Sequence, residues 1–130
     1  MATFREFEKY VRANFKVRTE SRKDMIAIGF NLPDDRSQLI FIGRGGSDKF
    51  GEVAHCVSFL GELTGKKLEK ALEETANLNT GGLIKIGEGI AYRCTILLED
   101  VDESEIQKSI FMAAVCADHL EQMFTGEDNY

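Results

Sequence analysis

Proline, histidine and paired cysteines are scarce in this sequence, and apolar runs long enough to cross a bilayer are missing. One proline, Pro33, in 130 residues, with no low-complexity tract, excludes the proline-rich disordered class; 43% apolar and 29% charged residues place the chain among globular proteins. The length suits a single domain over residues 1–130 that buries roughly two-thirds of the surface of its unfolded form. Without a span-length apolar run, no membrane partner is expected. The opening MATFREFEKY is charged every second or third residue. It therefore lacks the apolar centre of a secretory signal, and the expected address is cytoplasmic. Three cysteines, Cys56, Cys94 and Cys116, form no C-x-x-C pair, which predicts reduced, buried thiols and no disulfide.

Positive charge is also in short supply. The net charge is −6, and residues 1–23 hold seven Lys/Arg against three Glu, so the remainder is strongly acidic. That remainder would repel a polyanion, and no aromatic-plus-basic strand pattern is present; nucleic acid is excluded as a first expectation. The basic first helix is expected to dock beside the acidic C-terminal region of its own or a partner chain.

What is present is periodicity. Thr3 and Glu6 form a capping box, and Phe4, Phe7, Tyr10, Val11 and Phe15 recur at helical spacing, predicting a helix from Thr3 to Asn14. Asp24–Leu32 alternates, with Ile26, Ile28, Phe30 and Leu32 on one side. The turn residues from Pro33 to Arg36 lead into Gln38–Ile42, which is apolar on both faces. A third strand is expected over Glu52–Leu60, with Val53, Val57 and Phe59 sharing a face with His55. A second helix is predicted over Lys66–Asn77, its buried stripe made of Leu68, Ala71, Leu72, Thr75 and Leu78. Leu83–Ile86, the turn Gly87-Glu88-Gly89 and Ile90–Leu98 read as a hairpin. The last helix starts at a Ser104/Gln107 capping box, buries Ile106, Ile110, Ala113, Ala117, Leu120 and Phe124, and ends at Gly126. The order α-β-β-β-α-β-β-α predicts an α+β fold with a curved, mainly antiparallel sheet packed with helices.

The segments that invite a chemical reading do not sustain one. Gly61-Glu62-Leu63-Thr64-Gly65-Lys66-Lys67 is one residue short of a Walker A loop, has Lys67 where the magnesium-binding hydroxyl belongs, and carries Glu62 inside the would-be anion nest. It reads as a connection with Thr64 as N-cap, Lys66 and Lys67 leaving only a weak anion contact. Gly43–Asp48 is either an anion nest under Arg44 or a wide strand connection. Gly87-Glu88-Gly89 has no helix after it and no cofactor role. Adjacent strand residues His55 and Cys56 point to opposite faces and cannot form a dyad. Cys116 and His119 share a helical face, yet two histidines and three scattered cysteines are too few to close a metal site. The carboxylates from Glu99 to Glu105 are explained by solvation and the helix dipole. No catalytic residue, cofactor or metal is expected.

Leu78–Ile86, the strand Arg93–Leu98 and Ala117–Glu121 together carry a resemblance. In these segments and in its order of elements the chain resembles the YbjN-like family of putative bacterial sensory-transduction regulators, which shares the fold of the class I type III secretion chaperones. The resemblance implies a small bacterial cytosolic protein, dimeric and without a catalytic centre, its chaperone relatives binding extended segments of client proteins. The matching positions are structural, so no functional residue carries over.

Two functional expectations follow. The first is a non-enzymatic protein-binding module, chaperone-like or regulatory, acting as a homodimer: three helices must cover five strands, and Leu39, Ile40, Phe41 and Ile42 need shelter on both faces, which makes them candidate partner-binding residues. The alternative cover is the last helix on one face and a long loop on the other. The second is a small-anion or nucleotide-binding enzyme using Arg44, Lys66, Lys67 and Cys56.

Overall fold

The structure is a computed structural model that describes residues 3–19, 21–22 and 25–124, apart from the side chain of Ser47. Its elements are α1 (Phe4–Asn14), β1 (Met25–Leu32), β2 (Arg36–Ser47), β3 (Gly51–Gly61), α2 (Gly65–Thr75), β4 (Gly82–Ile86), β5 (Gly89–Leu97) and α3 (Glu103–Phe124). The strands form one antiparallel sheet in the order β1-β2-β3-β5-β4, giving the expected α+β architecture.

Strand pairing explains which face is core. Ile28 lies opposite Ile40, Ile26 opposite Ile42, Ile42 opposite Cys56, and Cys56 opposite Cys94. These residues, with Ala54, Tyr92, Ile96 and Leu60, are buried and form a single cluster with Phe4, Phe7 and Val11 of α1 and Ile106, Ile110, Ala113, Ala117 and Leu120 of α3. All three helices therefore contribute to the core from the same side, α2 through Ala71. Burying one large aliphatic side chain stabilises by about 1.5–3 kcal/mol, so this one-sided layer supplies most of the driving force. The side chains on alternate positions point to the opposite, open face, over which no described helix packs.

Helix starts are set by capping. The Thr3 hydroxyl accepts from the Glu6 backbone N–H at 3.2 Å, so Thr3 caps the helix as expected, while the Glu6 carboxylate accepts from the Thr3 hydroxyl at 3.0 Å in place of the backbone N–H that a full capping box uses. One cap differs from expectation, and another is at the expected residue but lacks its side-chain bond. Asp102, rather than Ser104, caps α3: its Oδ1 accepts from the Glu105 N–H at 2.8 Å, two residues earlier than the Ser104/Gln107 spacing implies. Thr64 occupies the N-cap of α2 without a side-chain hydrogen bond, and Gly65 opens the helix at φ +56°. The expected stop at Gly126 lies outside the described residues.

β2 is longer than its apolar stretch. Gly43–Ser47 continues the strand against Gly51–His55, and the chain turns only at Asp48-Lys49-Phe50. Glycine runs are weak strand formers; here they are held because a side chain at two of them would collide with β3. A Cβ at Gly45 would meet the His55 ring, and one at Gly46, whose φ is +142°, would meet the Gly51 carbonyl.

Candidate functional site

The four candidate partner-binding residues divide between the two faces of β2. Ile40 and Ile42 are 0% exposed under the chain's own helices, which removes them as contact residues. Leu39 and Phe41 are half-buried on the open face. Phe41 lies opposite Val57 and its ring meets that of Phe59 edge-on at 6.0 Å between centroids. Ile84 of β4, opposite Ala91, extends the same apolar strip across the sheet. No described loop covers this strip. The segment after α1 runs along β1, where Val17 bridges to Ile28 and the Arg18 N–H donates to the Ala27 carbonyl at 2.8 Å, and Lys16–Thr19 line one cavity with Gly29, Asn31 and Leu39.

On the same face, on the strand next to that of Phe41, His55 Nδ1 is 2.8 Å from the Thr95 hydroxyl. Partial burial, and then the Arg93 guanidinium, hold the His55 pKa below 6.5, so the ring is neutral at neutral pH. Arg93 is exposed and makes no ion pair among the described residues.

A second apolar surface lies on α3 and was not legible in the one-sided stripe read from the sequence. Phe111 is 55% exposed, Met123 52%, Val115 43% and Met112 38%. Helical geometry puts Val115 opposite the buried row, Phe111 on the shoulder toward β1, and Met112 and Met123 on the shoulder toward α2. Two contacts fix these shoulders: the Phe111 ring stands 6.5 Å from that of Phe30, and His119 Nε2 is 3.5 Å from the Glu74 carboxylate on α2. On α2, Leu72, expected to be buried, is 52% exposed. α3 is thus apolar on both sides, a pattern that belongs to a helix covered twice.

The candidate anion residues do not converge. Arg44 pairs with the Glu52 carboxylate, whose other oxygen accepts from the Phe4 N–H at 2.9 Å and so anchors the start of α1. The glycines around Arg44 are strand, so no nest of successive N–H groups forms. Lys66 and Lys67 are exposed in the first turn of α2, which packs beside β4. β4 and β2 are three strand positions apart, about 14 Å. Cys56 is fully buried.

The three cysteines, distant in sequence, meet around Tyr92. Cys56 and Cys94 are direct cross-strand partners, and Cys116 of α3 lies near the Tyr92 side chain, whose hydroxyl donates to the Thr80 carbonyl at 2.8 Å. A hydrogen bond from Cys56 to Cys94, and then burial, hold the Cys56 proton on, while burial raises Cys116. All three are free thiols. Among the described residues no group of His, Cys, Asp or Glu is arranged to hold a metal ion, and no helix is long and apolar enough to cross a membrane. Compared with known proteins, the chain matches no family model and no curated protein.

Proposed function

We propose that this chain is a non-enzymatic protein-binding module, chaperone-like or regulatory, that acts as a homodimer through the outward face of α3. The observation that carries the reading is the row Phe111, Met112, Val115 and Met123, exposed on a helix whose opposite side is already core. Contiguous apolar surface of this kind marks an interface.

A second copy is the occupant favoured by charge. The outward stripe holds Lys108 as its one unpaired cation, with His119 against Glu74 and Gln122 neutral, so two copies crossing antiparallel bring no row of like charges together. A two-fold axis near Val115 buries each apolar side chain twice over. The resemblance to the YbjN-like regulators and class I secretion chaperones points to the same kind of object, a cytosolic protein whose partners are other proteins. The test is site-specific photo-crosslinking. A benzophenone residue at position 115 is expected to give a crosslinked species of twice the 14.6 kDa chain mass, and one at Glu69, exposed on α2, is expected to give none. Equal yields from both positions would overturn the reading.

A further inference from the structure

Cys56 and Cys94 face each other across β3 and β5, at a position that the strand register fixes from both sides. The Leu98 N–H donates to the Glu52 carbonyl at 3.3 Å, which makes those two residues a hydrogen-bonded pair of the ladder. Such pairs recur every second residue, so Ala54 with Ile96 and Cys56 with Cys94 are hydrogen-bonded pairs too. Their Cα atoms then stand about 5.5 Å apart. That lies inside the window of roughly 4.4–6.8 Å that a disulfide spans. Both side chains belong to the helix-covered core, and the Cys56 S–H donates to the Cys94 sulfur, so the two sulfurs are already within hydrogen-bond reach. This donation stabilises the Cys94 thiolate and lowers its pKa against the burial that opposes ionisation. One thiol is set to react, and its neighbour to resolve the product.

We propose that Cys56 and Cys94 are a peroxide-sensitive dithiol, which hydrogen peroxide converts into a disulfide joining β3 to β5. The Cys94 thiolate attacks one peroxide oxygen and the O–O bond breaks; hydroxide leaves, takes up the proton that Cys94 released, and Cys94 becomes a sulfenic acid. The Cys56 sulfur then attacks the Cys94 sulfur. The S–S bond forms as the S–O bond breaks, and the departing hydroxide takes the Cys56 proton, so two thiols and one peroxide give one disulfide and two waters. Access sets the choice of oxidant. Cys94 keeps 5% of its surface and Cys56 none, an opening for a molecule the size of water and not for a tripeptide disulfide. Cys116, half-buried on α3 beside Tyr92, stays a free thiol, because burial holds its proton on and the cross-strand position opposite Cys94 is taken by Cys56. The modification does not depend on the dimer.

The test is peptide mapping of the full folded chain after exposure to hydrogen peroxide, followed by quenching, unfolding and alkylation. Cysteine peptides are read rather than intact mass, because the exposed Met112 and Met123 take up oxygen as well. The expected map shows a Cys56–Cys94 crosslink that has lost two hydrogens, an alkylated Cys116, and recovery of all three thiols with dithiothreitol. Cys116→Ser is expected to form the same bond, and glutathione disulfide is expected to leave wild type unmodified. Cys56→Ser should accumulate a sulfenic acid at Cys94 that dimedone traps; the wild-type map decides the matter by itself if this variant does not fold. The proposal is overturned by thiols that survive peroxide in the folded chain, by a bond that includes Cys116, by a glutathione adduct on Cys94, or by a crosslink that forms only in urea.

Discussion

Two side-chain environments give the sharpest expectations for single residues. Gly81 has φ +82°, and a Cβ there would run into the Tyr92 ring, whose hydroxyl is held by the Thr80 carbonyl. Gly81→Ala combines backbone strain with a collision against a buried ring, and is expected to cost about 1–3 kcal/mol in urea unfolding. No loss would mean that Tyr92 can move aside. His55 tests the open face by titration. Its folded pKa lies below 6.5, so the unfolded chain takes up a proton first as the pH falls. The stability tied to the neutral ring is present above pH 6.5 and is lost as the pH drops toward the folded value. Wild type should therefore lose more in Tm than His55→Asn between pH 7.5 and 5.5. Equal losses would show that His55 is as solvated in the folded state as in the unfolded one.

Among the elements, β2 decides how the two faces differ. Ile40, fully buried, should cost about 2–5 kcal/mol on truncation to alanine. Leu39, half-buried on the open face, should cost about 1 kcal/mol or less. Similar losses at the two neighbours, measured by denaturant unfolding, would show that the open face is covered after all. The alternation in β1 and β5 and the paired turn glycines made the element order readable, because period-2 burial on a one-sided sheet writes itself into the sequence. The ends of β2 were less readable. Gly43–Ser47 carries turn chemistry by composition, and only its pairing with Gly51–His55 makes it strand. α3 hid its second face for a related reason. Ile106, Ile110, Ala113, Ala117 and Leu120 satisfy a helical stripe by themselves, and nothing in that spacing reveals that Phe111 and Val115 are left outside. The convergence of Cys56, Cys94 and Cys116 depends on the β3–β5 register and on where α3 crosses the sheet, both of which are tertiary facts.

At the scale of the whole molecule, three helices on one side of a five-stranded sheet leave two surfaces over which no other described helix or strand packs, the outer side of α3 and the open face of the strands. The shortage of cover was legible in advance, but its location was not. Ile40 and Ile42 are sheltered within the chain, and four of the eight exposed large apolar side chains, Phe111, Met112, Val115 and Met123, lie on α3. The dimer assigned to that helix is the central claim, and the molar mass in solution tests it most directly. Light scattering on wild type at micromolar concentration is expected to give twice 14.6 kDa, and Val115→Glu, an exposed position that leaves the core untouched, is expected to give 14.6 kDa. A wild-type mass of 14.6 kDa across the concentration range, unchanged by Val115→Glu, would contradict it.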